Sequence, residues 1–388
     1  MRSLDLPGAA RNGLAMNEAN SIECGVAAST GGILPGHAIE ALAASGAITS
    51  ARPFVEGQIQ PASLDLRLGS RAYRVRASFL PGPLRSVEER LSVLGLHEID
   101  LERGAVLETN TVYIAEIEEH LALPAGLSAA ANPKSSTGRL DVFTRIITDR
   151  TDRFDLVAQG YAGKLYAEVS PRTFPVLVRR GSRLAQLRLR SGEARLGDDE
   201  LASLHARETL VAGGSPSISA GITVSIDLAG SSKVIGYRAK NHTGLIDVDR
   251  VGAYEARDFW DPLTARDGTL VLDPGQFYIL ASKEAVHVPP DYAAEMTPFD
   301  PLVGEFRVHY AGFFDPGFGH TAAGGHGSRA VLEVRSRDVP FILEDGQTVA
   351  RLVYERLSAP PKTLYGSDLG SHYQAQGLKL SKHFRGEV

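Results

Sequence analysis

The stretch KLYAEVSPRTFPVLVRRGSRLAQLRL at residues 164–189 recurs, with changes, as AVLEVRSRDVPFILEDGQTVARLVYERL at residues 330–357. Glu168 and Glu333 hold the same place in the two stretches and lie 165 residues apart (333 − 168 = 165). The glycine in the middle of each stretch keeps the same offset. A fixed period of this length indicates a duplicated domain rather than a solenoid of small repeats.

Outward from these stretches, each copy is a series of short alternating or β-branched runs separated by Gly, Pro, Asn and Asp, about 8–12 residues apart. The runs of the first copy are Ser63–Leu68, Val106–Ile117, Leu165–Val169, Val176–Val178 and Arg183–Leu189. Those of the second copy are Ile222–Leu228, Thr269–Ser282, Ala330–Val334 and Val349–Leu357. The pattern predicts a mostly β protein in which each copy is a sandwich or a barrel-like unit. A short helix is predicted for residues 33–48, between Pro35 and Gly46.

The composition is that of an ordinary globular chain, with 388 residues of which 43% are hydrophobic and 22% are charged. The net charge of −5 excludes the global basic field of non-specific nucleic-acid binders. The single cysteine, Cys24, excludes a disulfide framework and a cysteine-rich zinc site. No apolar run approaches the ~18 residues of a membrane span, and the start of the chain lacks the apolar core of a signal peptide. We therefore expect a soluble cytoplasmic protein without nucleic-acid or membrane partners.

The length allows two domains of ordinary size, and the composition suggests where they begin and end. The expected segments are a mobile leader at 1–32, a first domain at 33–190, a linker at 191–219, a second domain at 220–358 and a C-terminal lid segment at 359–388. The linker starts with charged residues, and a short helix is expected at 193–200. Because a polar tail of this kind is usually ordered only by a ligand, deletion of residues 363–388 is expected to leave the melting temperature nearly unchanged.

The segment NPKSSTGR at residues 132–139 combines hydroxyl groups, a glycine and two bases. Lys134 and Arg139 supply charge, the hydroxyl groups are short donors, and the glycine lets backbone N–H groups approach a ligand, which suits phosphate oxygens. A plain polar turn has the same composition, and the Walker order of residues is absent. At the same offset the second copy has the sequence DPLVG, from Asp300 to Gly304. Only one copy therefore carries the predicted phosphate-binding segment.

Glu168 and Glu333 each interrupt an otherwise apolar strand, LYAEV in the first copy and AVLEV in the second. A carboxylate that points into a β domain is costly unless it is paired or functional. General acid–base catalysis is one interpretation, and a structural ion pair or an outward-facing side chain is the other.

A metal site is not expected from the histidines. His309, His320 and His326 fall in one Gly-rich region, but their spacing is irregular and no cysteine joins them, which favours a solvated loop. The H-x-E and P-C-x-x-C signature of zinc deaminases is absent.

The strand QPASLDLRLG carries Asp65, which matches Asp227 of the second copy at an offset of 162 (227 − 65 = 162).

Taken together, these segments resemble the dCTP deaminases of the dUTPase-like superfamily, in their long two-domain form. The segments that carry the resemblance are QPASLDLRLG (60–69), KSSTGRL (134–140), GYAGKLYAEV (160–169), GSRLAQL (181–187), VHYAGFFDPGFG (308–319), AVLEV (330–334) and YGSDLGSHYQAQGLKLSKHF (365–384). The resemblance covers nearly all of residues 33–384. It implies a tandem duplication of a dUTPase-like β-barrel or β-clip domain with short helices, and a homo-oligomer with sites between barrel domains.

The resemblance also implies the chemistry, which is hydrolysis of dCTP to dUTP and ammonia without zinc, with Mg²⁺ bound through the substrate triphosphate. Ser135 and Arg139 match the catalytic serine and arginine of the family, and Glu168 and Glu333 both match its catalytic glutamate. The residues expected to bind substrate are Lys134, Ser136, His309, Ala311, Asp315, Tyr365, Tyr373, Gln376 and Lys382.

Each copy departs from the family pattern in a different part. The first copy has an altered hairpin, DRTDRFDLVAQG at 149–160, where the family contacts the cytosine ring. The second copy keeps the hairpin sequence FFDPGFG but lacks the Ser/Arg segment. This complementary loss predicts one composite site, built from the phosphate segment of the first copy and from the hairpin and Glu333 of the second.

Two alternatives remain open. A dUTP diphosphatase, or a deaminase with diphosphatase activity, would need a hairpin carboxylate in a D-x-x-Y-x-G setting. The first copy has Ala158 at that place, and the second has Asp315 without the tyrosine. The other alternative is a nucleotide-binding regulatory protein without catalysis, against which the presence of Ser135, Arg139 and both glutamates argues.

Overall fold

The structure is a computed structural model of the chain, and it describes residues 31–212, 215–229, 233–264, 267–298, 306–309, 312–366, 377–386 and 388. It is mostly β, as predicted, with short helices between the strands. The leader predicted at 1–32 lies outside the described residues except for its last two positions, and Gly32 already belongs to the first strand.

The first copy consists of strands β1 to β12 and helices α1 to α3. The strands are β1 (Gly32–Ile33), β2 (Ile48–Ser50), β3 (Leu64–Val75), β4 (Gly95–Asp100), β5 (Ala105–Leu107), β6 (Val112–Ala122), β7 (Leu127–Pro133), β8 (Val142–Thr148), β9 (Leu156–Val157), β10 (Ala162–Pro171), β11 (Val176–Val178) and β12 (Arg183–Ser191). The helices are α1 (Gly36–Ala44), α2 (Val87–Leu94) and α3 (Ser135–Gly138).

Most of these strands form one barrel-like sheet in the order β8-β10-β6-β3-β12-β7-β9, which β1, β2 and β4 join at its sides. The two ends of this order contact each other, because the backbone N–H of Asp155, just before β9, donates to Ile146 O of β8 at 2.9 Å. The sheet is therefore nearly closed, and its inward-facing Leu, Ile and Val side chains form the core.

The second copy repeats this plan with shorter strands. They are β13 (Val211–Ala212), β14 (Ile222–Ser225), β15 (Gly236–Ala239), β16 (Ile246–Asp247), β17 (Tyr254–Glu255), β18 (Trp260–Leu263), β19 (Thr269–Leu272), β20 (Tyr278–Val286), β21 (Tyr292–Pro298), β22 (Phe306–His309), β23 (Phe313–Phe314), β24 (Ser328–Ser336), β25 (Phe341–Glu344), β26 (Thr348–Arg356) and β27 (Phe384–Arg385). The helices are α4 (Asp198–Arg207), α5 (Ala256–Phe259) and a 3-10 turn (Thr321–Ala323). Its two main sheets have the orders β18-β15-β20-β24-β22 and β14-β26-β21-β23.

Strand register shows the duplication directly. Glu168 on β10 lies opposite Ile114 on β6, and Glu333 on β24 lies opposite Ile279 on β20. Both members of the second pair are displaced by 165 from those of the first (279 − 114 = 165). The repeat that the sequence predicts is therefore a repeat of strand pairing.

The proposed match between Asp65 and Asp227 is wrong. Leu64 lies opposite Leu187 in the first copy, and Ile222 lies opposite Leu352, the counterpart of Leu187, in the second. The offset in this strand is thus 158 (222 − 64 = 158), which makes Thr223 rather than Asp227 the counterpart of Asp65. An offset taken from similar residue types cannot show where a loop between two strands has changed length.

The two copies share a core. Trp260 of the second copy is fully buried and packs edge-on against Phe174 of the first, with ring centroids 5.5 Å apart. Phe384, near the end of the chain, packs edge-on against the same pair, with its ring centroid 5.8 Å from Trp260 and 6.4 Å from Phe174. Burial of aromatic rings on this scale fixes one copy against the other.

The segments outside the barrels have more regular structure than the sequence indicates. The predicted linker contains α4 and β13, which pairs with β20, and the helix begins five residues later than expected (198 − 193 = 5). The helix predicted at 33–48 is α1, which is shorter at both ends. Among the described residues, no helix is both long enough and apolar enough to span a membrane.

The expectation that the tail adds little to stability is wrong for its last part. Ser381 and His383 are buried, and β27 pairs in parallel with β17. The Nε2 atom of His383 lies 2.8 Å from Val248 O. Deletion of residues 363–388 would therefore remove core packing as well as any lid. Residues 367–376 of the tail lie outside the described residues.

Candidate active site

The predicted phosphate segment forms a single helical turn at the end of a strand. Proline at 133 ends β7, and Lys134 keeps an extended backbone and precedes α3. The N–H groups of Thr137 and Gly138 both donate to Lys134 O, at 2.8 and 2.9 Å, and close the turn. Ser136 and Arg139 are buried, and Ser135 is partly exposed. The turn thus holds Arg139 in a fixed place facing the second copy.

Arg139 meets Glu333 across the boundary between the copies. Its Nε atom lies 3.8 Å from Glu333 Oε1, and the two residues are only 3% and 4% exposed. Burial raises the pKa of Glu333 to about 8, although the charge of Arg139 acts in the opposite direction. A buried carboxyl group whose pKa is raised into this range can both accept and donate a proton during a reaction.

The end of the chain closes over this turn. Arg139 Nη1 donates to Lys379 O at 3.1 Å, and the hydroxyl of Ser381 donates to Ser136 O at 2.8 Å. Lys382, one of the predicted substrate-binding residues, follows directly and is partly buried. Burial lowers its pKa, and the positive charges of Lys134 and Arg183 lower it further. The tail therefore adds a cation to a region that is already positive.

Asp65 organises these cations. Its carboxylate forms an ion pair with Lys134 and lies 3.4 Å from Arg183 Nη1, while Asp65 itself is 1% exposed. Sequence reasoning missed Arg183. The signal was present, since Arg183 corresponds to Thr348 at the offset of 165 (348 − 183 = 165), and Lys134 corresponds to Phe299 at the same offset (299 − 134 = 165). At both positions the first copy has a basic residue and the second copy does not, as is also the case for the arginine of the Ser/Arg segment.

Glu168 lies in a different environment from Glu333. Its Oε1 accepts from Arg145 Nη2 at 2.6 Å and from Arg145 Nε at 3.1 Å. The Arg145 guanidinium is covered by Phe154, 3.4 Å from the ring centroid, and flanked by Phe143 at 4.7 Å. This environment fits the ion-pair alternative that the sequence left open.

Asp315 is also engaged within the protein. It is 7% exposed, and its Oδ1 accepts from Arg188 Nη2 at 3.3 Å. Burial raises the pKa of Asp315, and the neighbouring Arg188 opposes that shift. The carboxylate thus holds the second-copy hairpin to the first copy, a role that the sequence did not indicate.

The remaining predicted residues fall in three groups. Tyr365 is partly buried, with its N–H donating to Pro316 O at 2.8 Å and its ring 5.8 Å from that of Phe318, so it packs on the second-copy hairpin. His309 lies opposite Glu333 in the β22–β24 pairing. Ala311, Tyr373 and Gln376 lie outside the described residues, as does Asp300.

No group of three or more His, Cys, Asp or Glu side chains in the described part of the chain could hold a metal ion. His320 instead accepts a hydrogen bond at Nδ1 from the N–H of Ala322, at 3.1 Å, and its ring lies against that of His287. His326 is exposed.

Comparison with known proteins places these features in a family. Residues 30–193 match the family model for the N-terminal domain of 2'-deoxycytidine 5'-triphosphate deaminase, and residues 197–384 match the model for its C-terminal domain. This chain is 62% identical in sequence to 2'-deoxycytidine 5'-triphosphate deaminase from Agrobacterium tumefaciens, and its structure superposes on the crystal structure of that protein with a TM-score of 0.82. The match covers 84% of this chain and 99% of that one. The chain belongs to the dCTP deaminase family.

Shorter stretches of the chain resemble curated members of the dCTP deaminase family. One is a dUMP-forming dCTP deaminase of Halobacterium salinarum, 31% identical over 138 residues, or 34% of this chain and 66% of the relative. Another, also dUMP-forming, is from Beutenbergia cavernae and is 34% identical over 113 residues, or 28% of this chain and 55% of the relative. The chain thus spans between half and two thirds of these relatives. The resemblance inferred from the sequence is confirmed.

Proposed function

We propose that the protein hydrolyses dCTP to dUTP and ammonia, at a site shared between its two copies. The observation that carries this proposal is the placement of Arg139 from the first copy 3.8 Å from Glu333 of the second, both buried beside a helical turn rich in hydroxyl groups. Membership of the dCTP deaminase family supports the choice of substrate.

The chemistry requires a proton carrier and fixed charges. Glu333 takes one proton from the water that attacks C4 of cytosine and passes it to ring N3. It then takes the second proton from the new C4 hydroxyl and gives it to the amine, so that the C4–N bond breaks, the C4 carbonyl forms and ammonia leaves. A pKa of about 8 suits this exchange, because the carboxyl group can both release and accept a proton within about one pH unit of neutrality. Arg139 stabilises the charge that develops, and Ser135 orients the water.

Triphosphate binding is assigned to the cations around Asp65. Lys134 and Lys382 would bind the phosphate oxygens, and Ser136 and the backbone of α3 would add donors. Asp65 limits the repulsion between these cations before substrate binds. Mg²⁺ would arrive with the substrate, held by triphosphate oxygens.

A single site for each chain follows from the state of Glu168. Arg145 binds its carboxylate and is itself covered by Phe154, so we assign Glu168 no catalytic role. The phosphate segment of the first copy then forms a site with Glu333 and not with Glu168.

The product of the reaction distinguishes two forms of the proposal. Release of dUTP is favoured because Asp315, the hairpin carboxylate that could activate a second water, is buried against Arg188. Formation of dUMP is the second candidate, favoured by the names of the two curated relatives. Chromatography of the nucleotide formed from dCTP, together with an assay for pyrophosphate, separates the two.

The proposal is tested by ammonia release from dCTP with the purified chain and with two glutamine variants. Glu333→Gln should slow release by more than about a hundredfold, while Glu344→Gln, at an exposed position on β25, should leave it unchanged. Nucleotide binding without ammonia release from the wild-type chain would favour the regulatory alternative instead.

Zinc independence is part of the proposal and has its own test. After dialysis against a chelator, addition of Mg²⁺ alone should restore full turnover. A requirement for added zinc would contradict it. We also propose that the protein is cytoplasmic and that it forms a homo-oligomer. Light scattering would measure the mass of this oligomer.

A further inference from the structure

Arg188 is a fully buried arginine that crosses from the first copy to the second. It lies on β12, is 0% exposed, and donates through Nη1 to Ala294 O at 2.9 Å. Its Nη2 donates to Phe314 O and to Asp315 Oδ1, both at 3.3 Å. Its guanidinium carbon lies 4.0 Å from the centre of the Phe313 ring. One side chain therefore holds three consecutive residues of the second-copy hairpin.

The hairpin held in this way is next to the candidate site. Asp315 is close enough to Lys134 and Asp65 for their charges to act on its ionisation. In β22, which precedes this hairpin in the sequence, His309 lies opposite Glu333. Arg188 therefore binds a hairpin that lies near Lys134 on one side and follows the strand paired with that of Glu333.

A comparison of the copies argues against a role in barrel stability alone. The counterpart of Arg188 at the offset of 165 is Val353 (353 − 188 = 165), so the barrel fold does not need an arginine at this position. Burial of a guanidinium is costly unless it is well bonded. The arginine is present in the copy that faces the intact hairpin, and it bonds to main-chain oxygens as well as to charges.

We propose that Arg188 is a positioning residue, which fixes the hairpin Phe313–Asp315 of the second copy in the geometry that the nucleotide base requires. The inference rests on the proposed function for its substrate, and extends it by a specificity determinant contributed by the first copy. Loss of Arg188 should weaken productive binding of dCTP more than it slows the chemical step.

The experiment compares Arg188→Met with a control on the same strand, Arg190→Met. Arg190 Nη1 lies 3.6 Å from Glu355 Oε1, and Arg188 Nη1 lies 3.4 Å from Glu355 Oε2, so both arginines share this partner. Two readouts are measured, the kinetic constants for dCTP and the amide hydrogen exchange of residues 313–318. The exchange readout does not depend on catalysis.

Arg188→Met should raise KM by about tenfold or more, because a displaced binding segment misaligns the substrate. The kcat should fall less, and hairpin amides should exchange faster. Arg188→Lys, which keeps the charge but lacks the forked donors, should also raise KM. The control should change neither readout.

The double variant Arg188→Met/Asp315→Asn guards against simple misfolding, since it removes the buried carboxylate left without a partner. It should recover the melting temperature but retain the raised KM and the faster exchange. The inference would be overturned if the double variant recovered KM together with its melting temperature. It would also be overturned if folded Arg188→Met or the folded double variant showed unchanged KM and unchanged amide exchange. If the wild-type chain releases no ammonia from dCTP, the proposed function fails, and the exchange measurement still decides whether Arg188 holds the hairpin.

Discussion

The surroundings of Glu168 and Glu333 differ although the two residues occupy the same place in a duplicated strand pair. Glu168 is neutralised by Arg145 from its own copy, at 2.6 Å, under the ring of Phe154. Glu333 faces Arg139 from the other copy at 3.8 Å, and burial raises its pKa to about 8. The comparison shows that two carboxylates at equivalent places of a duplicated barrel can differ in their arginine partner and in its distance. In the function proposed above, only Glu333 transfers protons.

The largest expected effect is on turnover. Glu333→Gln should lower kcat for dCTP deamination by more than about a hundredfold, the range for loss of a general acid–base group. Glu168→Gln should lower kcat by less than about tenfold, because it weakens only the ion pair with Arg145 and so affects the fraction of folded protein rather than the chemical step. Equal losses in two folded variants would remove the distinction between the glutamates.

The next effect is on stability. Arg145→Met leaves the carboxylate of Glu168, which is 1% exposed, without its partner, and should cost about 3 kcal/mol in the free energy of unfolding. The double variant Arg145→Met/Glu168→Gln should recover most of this loss, as measured by urea denaturation. A stable single variant would mean that water or another group can replace Arg145.

The pH dependence of the reaction gives a further comparison. Proton abstraction needs the ionised form of Glu333, and its raised pKa makes that form scarce below pH 8. The value of kcat/KM should therefore fall about tenfold for each pH unit below 8 and level off above it. Glu168→Gln should keep this profile, whereas a midpoint near the ordinary pKa of a glutamate would contradict the assignment.

The smallest effect is a factor of two in stoichiometry. Calorimetric titration with a non-hydrolysable dCTP analogue should give one nucleotide for each chain, because the second copy lacks the Ser/Arg segment and Arg145 fills the space at Glu168. Arg139→Ala should abolish this single binding event or weaken it strongly. Two nucleotides for each chain would show that both copies form sites.

Much of the fold was predictable because it depends on local patterns. Alternating side chains, turn residues and a fixed offset indicate a duplicated β domain without knowledge of any contact. The same offset showed that the segment around Arg139 is present in only one copy. The match of Asp65 with Asp227, drawn from an offset of 162 (227 − 65 = 162), failed because similar residue types do not measure strand register.

The site could be predicted only in part. The pairing of Glu168 with Arg145 needs the position of one strand relative to the next, and the bond from Arg188 to Asp315 joins residues 127 positions apart. The anchoring of the tail by Phe384 depends on a core that both copies build. No short pattern records such contacts, because they arise only when distant segments are packed together.

The sequence by itself determined that the chain is a doubled β domain with two equivalent glutamates and that the segment predicted to bind phosphate occurs in only one copy. Tertiary structure decided which glutamate faces the arginine of that segment and which is neutralised within its own copy. The physical reason is that residue type sets what a side chain can do, whereas burial and neighbouring charge set its ionisation and its partner. Those two quantities exist only in the folded chain.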